Sequence, residues 1–498
     1  MSEKLDQLKE RLGEVADLDR AASVLSWDQQ VNMPPGGNEA RGRQLATLSK
    51  IAQEKFITDE VGRLIDDLKR ELNGADSDEA ALIRVASRNY DKAKRVPPEF
   101  IAEQAMVNSR AFEAWVEAKS KSEFSIFQPH LEKVLELVHK YISFFPPAEH
   151  RYDTLLDNYE PGMKTAEVKA IFEGLRSEQV ELIRAITSRK QVKSDFLHKN
   201  YNEKKLMDFG VDVITKFGYD WSRGRQDKAP HPFAETFSVD DVRITTRFEE
   251  DAPLEIVFST MHEAGHAMYE QGINRAYERT PLAGGTSLAV HESQSRMWEN
   301  LVGRSLPFWE HFYPAFKKTF PKQLEGVSLK SFYKAINKVE PSLIRVNADE
   351  ATYNLHIMLR LELEIGMVEG KIAVKDLPEI WNTKMQEYLG VTPPDDAKGV
   401  LQDIHWSAGY IGYFSTYALG NLISAQLWEK INEDISNLDD QIRKGDFSQL
   451  LGWLRTNIHR HGQKYEPQTL VEKVTGSKIT HEPYIRYLTK KYSEIYGL

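Results

Sequence analysis

The 498 residues include no cysteine. Disulfides, thiolate zinc sites, iron–sulfur clusters and thiol catalysis are excluded with it, so any metal must be held by His, Asp or Glu. Long apolar runs are missing as well. Nowhere do 18 apolar residues stand together, and the stretch Tyr141–Phe145 stops at Pro146 and Pro147, so no membrane span is expected. The opening residues, MSEKLDQLKERLG, lack the apolar core of a secretory signal. There is no surplus of positive charge: 65 Lys and Arg face 75 Asp and Glu, a net charge of −10. That balance argues against a nucleic-acid surface. What these absences leave is a cytoplasmic soluble protein with neither nucleic-acid nor membrane partners.

What is present is helical periodicity. Leu5, Leu8, Leu12 and Val15 form one apolar stripe with charges opposite. Val168, Ile171, Phe172 and Leu175, continued by Val180, Ile183 and Ile186, form another. Asp376-Leu-Pro-Glu379 reads as a helix start, and Gly390 as its stop. One stretch departs from this pattern. Val242, Ile244, Thr246 and Phe248 alternate with Arg243, Thr245 and Arg247, the period of a strand, expected as one arm of a hairpin turning near Asp240–Asp241. Breaks rich in Pro and Gly at 33–37, 144–148 and 392–396 read as helix connections, with no long linker or repeat. The expected fold is mainly α, one catalytic domain over residues 1–498, with a small β element.

Directly after the strand comes His262-Glu-Ala-Gly-His266. Asp251 and Pro253 suit the start of a helix there and Gly272 its end. Residues four apart share a helix face, so both imidazoles can reach one ion at about 2.0–2.1 Å. Glu263, offset by one, can address a water on that ion as general base. A catalytic site needs a third protein ligand. Glu292 is the candidate, returned by a turn at Gly284–Gly285 and a following helix; His291 competes, but on a helix the two side chains diverge by roughly 100°. On spacing alone the motif could also be two histidines on an ordinary helix.

These pieces resemble the carboxypeptidase Taq family of metallocarboxypeptidases, related in fold to neurolysin and thimet oligopeptidase. The resemblance rests on His231-Pro-Phe233, Asp241–Thr245, His262–His266, His291-Glu-Ser-Gln294, Ile344–Asp349 and Gly399–Trp406, with Trp27-Asp-Gln, Met33–Gly37, Arg460-His-Gly and Tyr484–Tyr492 extending it to both ends. Ser415, where proline is expected, and Val290, where isoleucine is usual, depart from the pattern but touch no proposed ligand. The resemblance implies a two-lobed helical metallopeptidase with a deep active-site groove and helices of about 1–100 as a lid. It also implies one Zn2+ per chain (Co2+ or Mn2+ being possible occupants), and a homodimer that removes C-terminal residues from peptides with broad preference, proline excepted.

The same resemblance makes His231, Tyr410 and Tyr417 active-site donors, and Arg345 and His405 contacts for the substrate's terminal carboxylate. Plainer readings stand beside these. The tyrosines could be core aromatics, Arg345 could pair with Asp349 four residues on in a helix, and Asp241 could pair with Arg243. Asp349 and Glu350 could partner a metal-bound histidine, and the strand Arg243–Arg247 could offer an edge to a peptide. Two other functions compete: an endo-acting oligopeptidase, separated by whether a free carboxylate is required, and an inactive helical scaffold, separated by metal content and hydrolysis.

Overall fold

The computed structural model describes residues 3–498. Helix predominates, as the periodicity requires, and packing gathers the chain into two compact units of three segments each. The first comprises Met1–Lys94, Ser194–Ile336 and Leu427–Gly476; the second comprises Arg95–Lys193, Asn337–Gln426 and Ser477–Leu498.

The first unit opens with α1 (Glu3–Val31), α2 (Asn38–Phe56), α3 (Asp59–Glu71) and α4 (Asp78–Arg95). The expected stripe of α1 is buried at Leu5, Leu8 and Leu12, packed with Val61, Leu64 and Leu68 of α3 and with Leu82 and Val85 of α4. Thr58 starts α3 by accepting the Val61 N–H on its side chain. In the second unit follow α5 (Pro98–Lys121), α6 (Phe124–Ser143), α7 (Asp153–Leu156) and α8 (Thr165–Thr187). The second expected stripe lies on α8, where Val168, Phe172, Leu175, Ile183 and Ile186 are buried.

The chain returns to the first unit through α9 (Glu203–Phe217) and then builds a small sheet from β1 (Gln226–Lys228), β2 (Ala234–Ser238) and β3 (Asp241–Thr246). β2 and β3 form the expected hairpin, with Ala234 opposite Ile244 and Glu235 opposite Arg243. Strand β1 is an addition that three residues, QDK, could not announce by period; it pairs in parallel with β3. The order β1-β3-β2 places β3 in the centre. The edge expected along Arg243–Arg247 is therefore already occupied on both sides, which corrects that reading.

Next come α10 (Glu255–Gln271), α11 (Leu288–Arg296) with a π turn at Met297–Val302 continuing it, α12 (Leu306–Thr319) and α13 (Leu329–Ile336). α10 starts later than Asp251 suggested, with Leu254 as its cap, and ends at Gly272 as expected. It is buried on nearly every face, and Gly265 explains how α11 comes so close. A Cβ there would lie 2.6 Å from Ser295 Cα and 2.7 Å from the Gln294 carbonyl oxygen, both immovable backbone atoms.

The remainder is α14 (Tyr353–Val368), α15 (Leu377–Leu389), α16 (Ser415–Asp434), α17 (Leu438–Arg443), α18 (Ser448–Asn457), α19 (Pro467–Thr475) and α20 (Glu482–Tyr496). Gly390 closes α15 in the left-handed region, at φ 70°. Residues 345–349 are not helical as supposed. A single 3-10 turn, Arg345–Asn347, precedes α14. Among the described residues no helix is long and apolar enough to cross a membrane.

Candidate metal centre

His262 and His266 stand one turn apart on α10, and α11 carries Glu292 against them. One carboxylate oxygen, Oε2, lies 3.5 Å from His262 Nε2 and 3.4 Å from His266 Nε2. Tetrahedral bonds of about 2.0–2.1 Å put neighbouring ligand atoms roughly 3.4 Å apart, so the spacing suits one small divalent cation. Among the described residues, these three are the group of His and acidic side chains whose ligand atoms all lie within 4.8 Å of one another.

Each imidazole is held by its other nitrogen. His262 Nδ1 is 2.8 Å from Glu299 Oε2, an acceptor on the π turn. His266 Nδ1 is 2.6 Å from His291 Nδ1, and His291 Nε2 is 2.8 Å from Glu270 Oε1. Both Nε2 atoms thereby face Glu292 Oε2. Arg296 secures the carboxylates: its Nε donates to Glu292 Oε1 at 2.7 Å and its Nη1 to Glu299 Oε2 at 3.2 Å. Ser295 Oγ donates to Glu292 Oε2 at 3.1 Å.

The charges follow from this packing. Burial alone would raise Glu292, but Arg296 and His262 hold its carboxyl well below the usual range. Glu299 is likewise drawn down to about 2 against burial, chiefly by Arg296. Burial pushes His266 down to about 4, keeping it neutral. It works against charge on His262 also, yet Glu292 and Glu299 outweigh it and raise that group. Burial pushes the Glu263 carboxyl up to about 7; His262 opposes the shift, and Glu292 and Glu299 reinforce it.

The remaining anticipated residues divide between the units. His231 is exposed on the loop before β2, in the first unit, where its carbonyl accepts from Thr245 Oγ1 at 3.3 Å. Arg345, His405, Tyr410 and Tyr417 belong to the second. Arg345 is only 6% exposed. Its Nε and Nη2 each lie 2.9 Å from Asp403 Oδ1, and its Nη1 donates to Tyr353 OH at 3.0 Å. The Tyr417 ring lies beside this guanidinium at 5.1 Å, and Tyr417 OH is 3.2 Å from His405 Nε2. Burial, with Arg345 and Arg360 nearby and against Asp403, pushes His405 down to about 3. Tyr410 is half exposed, its ring 6.1 Å from that of Tyr413.

Three plainer readings are settled by contacts. Asp241 and Arg243 do pair, through two 2.8 Å bonds. Asp349 does not pair with Arg345; it accepts the Ala351 and Thr352 N–H groups that open α14. Glu350 is taken by Lys491 at 2.7 Å. The partners of the imidazoles are Glu299 and His291 instead. Glu299, Glu270, Arg296 and Asp403 were not anticipated. For two of them a signal existed: Glu292, Arg296 and Glu299 recur at i, i+4 and i+7, one helix face.

Two imidazoles and a carboxylate on a close helix pair, with a buried glutamate beside the first imidazole, define a metallopeptidase of the H-E-x-x-H type. A family model described as carboxypeptidase Taq (M32) metallopeptidase matches residues 7–492, and the chain belongs to that family. It is a metallocarboxypeptidase, a peptide hydrolase. Thermostable carboxypeptidase 1 of Thermus thermophilus is 40% identical over 496 residues, 97% of this chain and 97% of that one. Its namesake from Pyrococcus furiosus is 39% identical over 494 residues, 99% of each. The crystal structure of the M32 carboxypeptidase from Deinococcus radiodurans R1 matches with a TM-score of 0.97 at 40% identity, covering 100% of both chains.

Proposed function

We propose that this enzyme uses one zinc ion, held by His262, His266 and Glu292, to remove residues one at a time from peptide C-termini with broad side-chain preference. The observation that carries the reading is the position of Glu292 Oε2, nearly equidistant from both Nε2 atoms, with Glu263 next along the same helix. The bound ion supplies Lewis acidity for the scissile carbonyl and for water. Glu263 removes the proton from that water and passes it to the leaving amine. His231, Tyr410 and Tyr417 donate hydrogen bonds to the oxygen that gains charge.

Arg345 and His405 read the free carboxylate. Asp403 and Tyr353 hold the guanidinium and fix the plane of the fork. Co2+ or Mn2+ would suit the same nitrogen and oxygen donors. The enzyme works in the cytoplasm as a homodimer, with the helices within residues 1–100 as a movable cover.

The test is a peptide digested over time and read by mass spectrometry, with chelator and after restoring Zn2+, Co2+ or Mn2+. Stepwise loss from the C-terminus, abolished by chelator and restored most fully by zinc, is expected. Internal cuts with both ends intact would move the enzyme to the endo-acting reading.

A further inference from the structure

A run of polar groups leads from the proposed ligand His266 to two residues that the chemistry above does not use, the part-buried His291 and the buried Glu270, joined by contacts of 2.6 Å and 2.8 Å. We infer that Glu270 and His291 are positioning residues that dictate which nitrogen of His266 carries its proton, keeping Nε2 open to a metal ion. This rests on the reading of His262, His266 and Glu292 as the ligand set.

A neutral imidazole has one N–H and one lone pair. The short contact between the two Nδ1 atoms admits a single proton, so one ring donates and the other accepts. If His266 donates, the His291 proton sits on Nε2 and points at Glu270 Oε1, and His266 Nε2 offers its lone pair beside Glu292. If His291 donates instead, its Nε2 lone pair faces a carboxylate oxygen 2.8 Å away, acceptor against acceptor. The His266 proton then occupies Nε2, where an ion would bind. The negative charge on Glu270 selects the first arrangement.

Glu270 is built to keep that charge. It is 6% exposed and accepts the Gly285 N–H at 3.1 Å. Despite burial, His291 and Arg20 help to hold its carboxyl below the ordinary value. The His291 ring is fixed from the side. A Cβ at Gly285 would lie 2.6 Å from His291 Cδ2, and the Tyr269 ring stands 5.1 Å away. His262 has a simpler arrangement, a direct bond to Glu299 at 2.8 Å, and serves as an internal control.

The experiment compares wild type, Glu270→Gln and His291→Phe. Zinc affinity is measured by chelator competition, and tautomers are read from imidazole nitrogen-15 shifts in the metal-free proteins. Glutamine keeps the shape of Glu270 without its charge: its NH2 turned toward His291 would oppose the Gly285 N–H, and its oxygen turned there leaves only a neutral acceptor, so the preference for one tautomer is weakened. Phenylalanine keeps the ring and removes its nitrogens. Both variants are expected to bind zinc about 10–100-fold more weakly. They should also show a mixed tautomer at His266, while His262 remains protonated at Nδ1.

Wild-type affinity in both variants would overturn the inference. So would weakened affinity with an unchanged His266 tautomer. Total loss of zinc in His291→Phe beside a normal Glu270→Gln would also overturn it, making His291 a ligand. If His291→Phe fails to fold, Glu270→Gln carries the test alone. Glu292→Ala separates the two levels: if that variant keeps wild-type zinc affinity, the ligand set itself is wrong; if it loses zinc while the other two do not, only the relay is wrong.

Discussion

Glu263 and Glu364 are both buried carboxyls pushed up to about 7, yet their surroundings give them different work. Glu263 sits beside the ligand set. Glu263→Gln should retain metal while hydrolysis falls by at least ~10²-fold, because an amide cannot take the proton from water. Metal content and turnover measured on one preparation decide this; near-normal turnover would remove Glu263 as the base. Glu292→Ala should sharply weaken metal binding in a chelator titration. Glu364, in the second unit, accepts from Tyr152 OH at 2.6 Å, Trp406 Nε1 at 2.8 Å and the Gly412 N–H at 2.9 Å, which ties α14 to the loop bearing His405 and Tyr410. Folding raises its proton affinity above that of the unfolded chain. Its contribution is therefore greatest below the ordinary carboxyl value of 4.5 and is lost as pH rises toward about 7. The full change is at most about 3 kcal/mol. Urea unfolding of Glu364→Gln across that window should show a flatter decline than wild type; a superimposable pH profile would take the effect away from this group.

At the scale of elements, the close approach of α10 and α11 is what brings His262, His266 and Glu292 into a group that could hold a metal ion. Gly265→Ala would press a methyl into the backbone of Ser295 and Gln294, with an expected loss of about 1–3 kcal/mol. The melting temperature and the zinc affinity should fall together, because the helices carrying the histidines and Glu292 must separate. A variant with lowered stability but wild-type zinc affinity would show that the ligands tolerate that shift. The same pair of helices marks the limit of what the chain discloses by itself. His262, Glu263 and His266 were legible because their relation is one helical turn, a local property. The α15 stop at Gly390 and the β2–β3 hairpin were legible for the same reason. Glu292 needed only a short loop and a second helix. His291 was seen as a rival ligand, but its bond to His266 and its partner Glu270 come from packing between helices, which no spacing expresses. The central place of β3 was hidden because β1 is three residues long, and the Arg345–Asp349 pair was drawn from a helix that is only a 3-10 turn at 345–347, whereas Asp349 accepts the N–H groups just ahead of α14.

At the scale of the whole molecule, the directional chemistry should appear as dependence on one charge. C-terminal amidation is expected to suppress cleavage of an otherwise good peptide, and Arg345→Ala to narrow the gap between acid and amide substrates by roughly 10–150-fold, the value of a charge-assisted hydrogen bond. Competition between the two peptides in one digest measures both effects; equal cutting of acid and amide by the wild type would end the exopeptidase reading. The discontinuity of the first unit has a further consequence, in the timing of synthesis. The ligands and their partners lie between residues 262 and 299, but the unit that contains them is not complete until Gly476. His459, from its last segment, packs where a Cβ on Gly272 would lie 2.6 Å from its own Cβ, and its Nε2 donates to Gln294 Oε1 at 2.9 Å. The 177 residues from 299 to 476 take about 10–35 s to translate at ~5–20 residues per second. For that interval the helices α10 and α11 have been made but the segment that supplies His459 has not, so the pair is packed fully only when the polypeptide is nearly finished.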